Sequence, residues 1–312
     1  MADQLPQRGG TFSQAESELA AINLVYGASA AGARAMTSST SPGISLKQEG
    51  ISYLAGSELP AVIVNVMRGG PGLGNISPSQ ADYHQATRGG GHGDYRTIVL
   101  APSTVQEVAD LTYLAFDLAD KYLTPVLLLS DGMLGQMMEG ACFDHLLPPD
   151  LPPKPWALTG RPGRKRNLVC SFRATVEALA ELNRRLQGRY AQICRDEPRH
   201  EFTGPQDAEV LLAGYGTCAR ICRWVVEEGQ RALPFKVGLF RPITLWPFPE
   251  LALRELARRM RGVLVVEMSA GQFVDDVRLA VEGACRVELL SRVGGEVPTA
   301  AEVTQALTAH FS

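Results

Sequence analysis

Short apolar runs alternate with longer helical patterns along most of this chain, and this alternation constrains the fold most. In the first half, residues 61–67 and 125–129 are aliphatic runs with almost no polar alternation, which is typical of strands buried on both faces. Helical periodicity marks residues 14–32, 45–56 and 105–121 around them. Strands that alternate with helices in this way predict a parallel sheet covered by helices.

The second half repeats the alternation. We predict strands at residues 209–213, 236–240, 262–267 and 286–290, and helices at 218–230, 250–259 and 272–282. A second sheet of the same kind follows from this pattern. The predicted fold class is therefore α/β, with two parallel-sheet domains.

A proline-rich connector separates the two halves. Six prolines lie between Pro148 and Pro162, and proline both removes a backbone donor and disfavours helix at the residue before it. A helix is predicted after the connector, at residues 175–195. We expect a first domain at residues 1–150, a basic linker with this helix at 151–203, and a second domain at 204–312.

Composition excludes several classes of protein. The 312 residues are 45% hydrophobic and 20% charged, as in soluble globular proteins, and no apolar run approaches the roughly 18 residues of a membrane helix. The N-terminus has no signal-peptide pattern, so we expect a cytoplasmic protein without a membrane partner. The six cysteines form no C-x-x-C pair, which argues against an iron–sulfur or zinc motif in this chain.

Charge is segregated along the chain. Residues 151–203 contain 11 basic and 5 acidic side chains, a net charge of +6, whereas residues 1–150 contain 7 and 15, a net charge of −8. The basic residues include Arg161, Arg164, Lys165 and Arg166. No stacking aromatic side chains are interleaved with them, so we expect no nucleic-acid partner.

Glu18 is a first candidate for chemistry. The pattern from Ser13 to Glu16 fits a capping box, which assigns Glu16 a structural role. Glu18 has no such explanation and precedes a tract of small residues. It is either a surface residue in the first helical turn, favoured by the helix dipole, or a buried functional acid.

Arg68 is a second candidate, because it ends the predicted strand 61–67. Ligands of parallel sheets bind beyond the carboxyl ends of strands, where a guanidinium can hold a carboxylate through two hydrogen bonds. The alternative is a structural salt bridge to an acidic neighbour. The glycines that follow, from Gly69 to Gly74, lack the G-x-G-x-x-G order and favour close backbone approach rather than phosphate binding.

Three further features have ordinary structural explanations. His92 lies in a glycine-rich loop without metal-ligand spacing, and Cys218 and Cys222 are interpreted as small core residues. The segment from Gly214 to Ala219 matches the dinucleotide fingerprint, but the next strand ends in Arg241 rather than an acidic residue. Tight packing of the strand against the following helix explains these glycines better. A phosphorylated nicotinamide cofactor remains an alternative, because Arg241 could bind its 2′-phosphate.

Four longer blocks carry a family resemblance: QAESELAAINLVYGASAAGARAMTSSTSPGISL, LPAVIVNVMRGGPGLG, SQADYHQATRGGGHGDYRTIVLAPSTVQE and FRPITLWPFP. They resemble the alpha subunit of a 2-oxoacid:ferredoxin oxidoreductase. The branched-chain (2-oxoisovalerate) form is the most similar and the 2-oxoglutarate form second. The resemblance implies a domain that binds the pyrimidine of thiamine diphosphate, followed by a transketolase C-terminal-like domain without a nucleotide site.

The resemblance also implies roles and partners. Glu18 falls at the family's thiamine-activating glutamate, and Arg68 at the position that holds the substrate carboxylate. The implied reaction is oxidative decarboxylation of a 2-oxoacid to acyl-coenzyme A and carbon dioxide, with reduction of ferredoxin. A beta subunit would bring Mg²⁺ and the diphosphate site, and a ferredoxin-like subunit the [4Fe-4S] clusters, beside a gamma subunit. No metal ligand is expected on this chain.

One departure from the family leaves alternatives open. Family members ordinarily carry a further N-terminal βα unit with a Tyr-Pro-Ile-Thr-Pro segment, and we expect this unit to be missing here. A truncated, non-catalytic scaffold subunit is therefore an alternative, as is a nicotinamide-dependent reductase that uses the Gly214 loop.

Overall fold

The fold was analysed in a computed structural model, which describes residues 2–147, 151–160 and 163–312. Part of the proline-rich connector and Arg161 lie outside these residues. The helices are α1 (Glu18–Ala30), α2 (Ser41–Gly56), α3 (Tyr83–Arg88), α4 (Val105–Tyr122), α5 (Val176–Asp196), α6 (Gly216–Glu227), α7 (Glu250–Ala257), α8 (Phe273–Val281) and α9 (Ala300–Phe311). The strands are β1 (Met36–Ser39), β2 (Ala61–Met67), β3 (Ile98–Leu100), β4 (Pro125–Asp131), β5 (His200–Thr203), β6 (Val210–Ala213), β7 (Val237–Pro242), β8 (Thr244–Trp246), β9 (Gly262–Glu267) and β10 (Arg286–Ser291).

Two five-stranded sheets form the two expected α/β units. The first has the order β1-β2-β4-β3-β8 and the second β10-β9-β6-β7-β5. Each sheet is parallel except for one antiparallel edge strand, β8 beside β3 and β5 beside β7. The first sheet thus takes its edge from the chain after residue 204, and the second takes its edge from residues 151–203. The domain limits at 150 and 203 stay a prediction.

The long buried elements were predicted most accurately. Strands β2 and β9 have the predicted bounds, because their side chains are aliphatic on both faces. The short elements β1, β3, β5, β8 and α3 and the C-terminal helix α9 were not predicted. All four of these strands have only three or four residues, too few for a periodic pattern.

The predicted capping box at Ser13 and Glu16 is wrong. Helix α1 begins at Glu18, and Ser17 is its N-cap, accepting a hydrogen bond from the main-chain N–H of Ala20 at 3.2 Å. Both serines are good N-caps. The first buried side chains of the helix are Ile22 and Val25. Their burial depends on tertiary packing, which the local capping pattern does not reveal.

Both faces of each sheet are covered. Helices α4 and α5 pack on one face of the first sheet, with Leu182, Leu186 and Tyr190 of α5 buried there, and α6 and α9 pack on one face of the second. The remaining faces share one continuous core, which includes α1, α2, α7 and α8. The two units therefore bury apolar surface against one another.

Arg241 links the units through a buried ion-pair cluster. Its side chain is 2% exposed, and its guanidinium donates to Glu107 of α4 at 2.6 and 2.9 Å and to Glu201 of β5 at 3.0 Å. A guanidinium at this depth needs every one of these partners, because an unpaired buried charge is strongly destabilising.

We expect Arg241→Met to lower the free energy of unfolding by about 3–5 kcal/mol, because it leaves the Glu107 and Glu201 carboxylates without their buried partner. Urea denaturation measures this change. Arg184→Ala is the matched control: it removes an exposed ion pair with Glu181 and should cost less than about 1 kcal/mol. Equal effects of the two variants would show that the cluster is not structural.

Candidate functional site

Arg68 lies at the carboxyl end of β2 and lines a cavity of about 490 Å³. Its main-chain N–H donates to the Ser41 hydroxyl at 3.0 Å, and its guanidinium Nη2 donates to the Leu73 carbonyl at 3.2 Å. The Nε atom is buried without a hydrogen-bond partner. Within the part of the chain that the structure describes, Arg68 forms no salt bridge. A structural ion pair therefore does not explain this arginine.

Both units contribute residues to the lining of the cavity. Its lining comprises Ser41, Pro42, Ser45, Arg68, Gly69, Gly70, Pro71, Gly72, Ser79, Ala81 and Asp82 from the first unit, and Met268, Ser269, Ala270, Gln272, Val293 and Gly294 from the second. Arg68 and Asp82 are the charged residues of this lining, and the Asp82 carboxylate accepts a hydrogen bond from Asn65 Nδ2 at 2.9 Å. The cavity thus presents one cation and one anion.

Glu267 fixes the wall that the second unit supplies. Its buried carboxylate accepts hydrogen bonds from the main-chain N–H groups of Gln272, Phe273 and Val274 at 2.9–3.1 Å and from the Ser269 hydroxyl. Burial raises the pKa of Glu267, and these hydrogen bonds oppose the rise. The carboxylate caps α8 and so holds Ser269 and Gln272 in the lining.

The glycine-rich loop after Arg68 is packed against itself. A Cβ atom on Gly74, whose φ is +60°, would lie 1.7 Å from the Gly69 carbonyl oxygen. Asn75 Nδ2 donates to the Gly294 carbonyl at 2.8 Å and fastens the loop to the second unit. The predicted close backbone approach is therefore present at Gly74, whereas a Cβ atom on Gly70 or Gly72 would meet nothing within 4 Å.

Glu18 is the first residue of α1 and is half-buried. Its Oε1 atom accepts a hydrogen bond from the Ser39 hydroxyl at 3.2 Å, at the end of β1. A Cβ atom on Gly43 of α2 would lie 2.5 Å from the same oxygen. Glu18 and Arg68 therefore contact the same first turn of α2, because Ser41 binds the main chain of Arg68.

Lys47 is a buried cation that the sequence analysis missed. Its side chain is 1% exposed, and its ammonium donates to Thr37 Oγ1 at 2.8 Å and to the Ser38 carbonyl at 3.0 Å. Burial lowers the pKa of Lys47, while the charge of Glu18 opposes that fall. Its place between the buried residues Ile44 and Ile51 of α2 was the available signal, since lysine is almost never fully buried unless paired.

The fingerprint at Gly214 does not form a dinucleotide site. The Asp131 carboxylate occupies the N-terminus of α6, accepting from the Thr217 N–H at 3.0 Å and the Thr217 hydroxyl at 2.7 Å. A Cβ atom on Gly216 would lie 2.8 Å from Asp131. Asp131 thus occupies the position where a pyrophosphate would bind. The Arg241 guanidinium, which would bind a 2′-phosphate, is already paired with Glu107 and Glu201. The reductase hypothesis is therefore wrong.

The remaining candidates do not line the cavity beside Arg68. His92 is exposed in its loop, and Cys218 and Cys222 are fully buried in the core of the second unit. Outside the gaps at 148–150 and 161–162, residues 2–312 contain no group of three or more possible metal ligands among His, Cys, Asp and Glu. Over the same residues, no helix is long and apolar enough to cross a membrane.

Comparison with known proteins identifies the family. Residues 1–143 match the thiamine diphosphate-binding domain of pyruvate flavodoxin/ferredoxin oxidoreductases, and residues 208–303 match core domain II of pyruvate:ferredoxin oxidoreductases. The chain is 53% identical over 293 residues to ketoisovalerate oxidoreductase subunit VorB of Methanothermobacter thermautotrophicus, a match that covers 94% of this chain and 82% of that one. It is 38% identical over 302 residues to 2-oxoglutarate synthase subunit KorA of Archaeoglobus fulgidus, covering 94% and 84%.

Solved structures agree with this assignment. The 2-oxoglutarate:ferredoxin oxidoreductase of Magnetococcus marinus, with 2-oxoglutarate, coenzyme A and succinyl-CoA bound, superposes with a TM-score of 0.83 at 25% identity over 99% of this chain. The present chain spans 58% of the length of that chain. A split-gene transketolase in an inactive beta4 tetramer has a TM-score of 0.63 at 16% identity, covers 99% of this chain and 85% of its own, and shows the fold alone. The predicted fold class and family resemblance are thereby confirmed, and the chain belongs to the 2-oxoacid:ferredoxin oxidoreductase family.

Proposed function

We propose that this chain is the pyrimidine-binding subunit of an oxidoreductase that decarboxylates branched-chain 2-oxoacids and transfers their electrons to ferredoxin. The observation that carries the proposal is the Arg68 guanidinium, which lines a cavity at the carboxyl end of β2 and forms no salt bridge with any residue that the structure describes. Every 2-oxoacid presents a carboxylate next to its reacting carbonyl. An arginine with unused donors is suited to hold that carboxylate.

Glu18 is suited to thiamine diphosphate. Among the described residues its carboxylate accepts one hydrogen bond, from the Ser39 hydroxyl, and it is partly exposed, so acceptor positions remain for a ring nitrogen of the pyrimidine. When bound, the cofactor supplies a carbon nucleophile and stores the electrons left after decarboxylation. In this proposal Glu18 holds a proton at the pyrimidine ring, and Arg68 orients the substrate.

The charges of the cavity favour a monocarboxylate substrate. Arg68 is the cation among the described lining residues, and Asp82 is an anion. A second substrate carboxylate, as in 2-oxoglutarate, would meet Asp82 rather than a second cation, which is unfavourable in a partly enclosed site. The 53% identity to the ketoisovalerate subunit supports the same substrate class.

Partner subunits complete the proposed enzyme. The sequence contains no G-D-G motif for a metal-bound diphosphate and no cluster-binding cysteine pattern. A beta subunit would therefore supply Mg²⁺ and the diphosphate site. A ferredoxin-like subunit would carry the [4Fe-4S] clusters, and together with a gamma subunit it would complete the path to ferredoxin and coenzyme A.

Co-expression of the subunits should give 2-oxoisovalerate-dependent viologen reduction, whereas activity of this chain alone would refute the proposal.

We expect Glu18→Gln to reduce exchange of the C2 proton of bound thiamine about a hundredfold or more, because the amide cannot share a proton with the pyrimidine as a carboxylate does. Proton–deuterium exchange in the assembled complex measures this rate. Glu16→Gln changes an exposed glutamate two residues earlier and should leave the exchange as it is. An unchanged C2 exchange rate in Glu18→Gln would show that Glu18 does not activate the cofactor.

We expect Gly43→Ala to slow the same exchange, because the added methyl group would overlap both Glu18 Oε1 and the Ser39 hydroxyl, at 2.5 and 2.1 Å. The overlap should displace the carboxylate and cost about 1–3 kcal/mol of folding free energy. Gly27→Ala in α1 meets nothing within 4 Å and should stabilise the helix by up to about 1 kcal/mol. The prediction fails if both variants behave alike in exchange and unfolding.

We expect Arg68→Lys to raise KM for all 2-oxoacids by similar factors, because lysine keeps the charge but loses the planar pair of donors. Steady-state kinetics with 2-oxoisovalerate, 2-oxoglutarate and pyruvate test this expectation, with Arg184→Lys as an exposed control. The rank order of substrates should not change. A loss confined to 2-oxoglutarate would mean that Arg68 binds the distal carboxylate instead.

A further inference from the structure

Leu73 and Val293 are exposed aliphatic residues on the two loops beside Arg68. Their exposed fractions are 81% and 55%. Val293 is the one branched aliphatic side chain among the described residues that line the cavity, and Leu73 follows the lining residue Gly72. Single exposed leucines are common on protein surfaces, but apolar side chains next to a few placed polar groups in a cavity are typical of a ligand site. The position of these two side chains therefore requires an explanation.

The main chain of Leu73 is held in place by Arg68 itself. Its carbonyl accepts a hydrogen bond from Arg68 Nη2 at 3.2 Å. Two residues later, the Asn75 N–H donates to the Gly69 carbonyl at 3.0 Å, and the intervening Gly74 packs closely against the same carbonyl. Leu73 is thus exposed on a closed turn whose position is tied to the guanidinium.

Val293 is fixed from the second unit. The N–H of Arg292 donates to the Glu267 carbonyl at the end of β9 at 3.0 Å, and the Gly294 carbonyl accepts from Asn75 Nδ2 at 2.8 Å. The residues on both sides of Val293 are therefore anchored, and the second anchor is the glycine-rich loop described above. The two exposed side chains thus lie on loops that contact each other directly.

The proposed substrate has a group that needs apolar neighbours. In a 2-oxoacid held by its carboxylate on Arg68, the alkyl group begins two bonds from the carboxylate carbon. The same guanidinium binds the Leu73 carbonyl, so the alkyl group would lie near this turn. Arg68, Asp82 and serine hydroxyls make up much of the remaining lining, and an alkyl group is stabilised only where it meets apolar surface.

We propose that Leu73 and Val293 form an aliphatic lip that contacts the alkyl group of the 2-oxoacid and sets the preference for branched chains. This inference rests on the role proposed above for Arg68. It makes both residues specificity-determining and gives them no part in the chemistry at the oxo group. The competing explanation is that a partner subunit covers the lip, in which case substrate choice would not depend on it.

The test uses a lip variant and a matched control in the assembled complex. The lip variant carries Leu73→Ala and Val293→Ala. The control carries Leu251→Ala and Leu279→Ala, which truncate leucines of α7 and α8 that are 71% and 66% exposed and lie outside the described lining. Steady-state kinetics are measured with pyruvate, 2-oxobutanoate, 2-oxoisovalerate and 4-methyl-2-oxopentanoate, whose alkyl groups grow from methyl to isobutyl. Sedimentation velocity at several concentrations measures subunit assembly.

We expect kcat/KM of the lip variant to fall about tenfold or more for the two branched substrates and by less than about twofold for pyruvate, because each methylene bound in an apolar site is worth roughly 10–200-fold in discrimination. The loss should appear mainly in KM, since the contact is made equally before and in the transition state. The control should keep the wild-type constants for all four substrates. Thermal stability should stay that of the wild type, because truncation of exposed side chains rarely changes it.

The outcomes separate this inference from the proposed function. An equal loss for pyruvate and the branched substrates, or no loss at all, would overturn the lip, while Arg68→Lys would still raise KM for every 2-oxoacid. An equal loss together with weaker assembly would assign the lip to a subunit contact and also overturn it. Failure of Arg68→Lys to raise any KM would instead overturn the proposed function itself.

Discussion

Gln80 joins the two sheets by hydrogen bonds from both its main chain and its side chain. Its N–H and Oε1 pair with the carbonyl and N–H of Met268 at 2.8 and 2.9 Å, and its Nε2 donates to the Tyr215 carbonyl at 2.9 Å. Because Gln80 is fully buried, each of these bonds would be costly to leave unmade. They hold the ends of β6 and β9 against the loop after β2, and the cavity beside Arg68 exists because those chain segments meet there.

A second link between the units explains why a sequence fingerprint was misleading. The Gly214–Ala219 segment has the local form of a dinucleotide loop, a strand followed by a tight turn and a helix N-terminus. In this protein the anion at that terminus is the side chain of Asp131, which ends β4 of the other sheet. The same backbone geometry that could bind a phosphate binds a carboxylate of the chain itself, and only the long-range packing distinguishes the two.

The site was predictable where it depends on strand ends and unpredictable where it depends on packing between elements. Arg68 was found because a long apolar strand predicts its own carboxyl end, where parallel sheets place their ligands. Ser39, Ser41 and Gly43 were not, because β1 has four residues and α2 begins four residues before its periodic pattern does. Lys47 was visible in the sequence as a charge on an apolar helix face, but its hydrogen-bond partners Thr37 and Ser38 on β1 were not.

The first turn of α2 unites the two candidate residues in a single element. Its Ser41 hydroxyl holds the main chain of Arg68, while its Gly43 leaves room for the Glu18 carboxylate. A shift of this turn would therefore move both groups together, and their separation is set by one rigid helix rather than by two loops. Such an arrangement suits a reaction in which a cofactor and a substrate carboxylate must be held at a fixed distance, since small displacements of reacting groups are costly to rate. One turn further along the same helix, the buried Lys47 ammonium binds Thr37 and Ser38 of β1 and so fixes α2 against this strand.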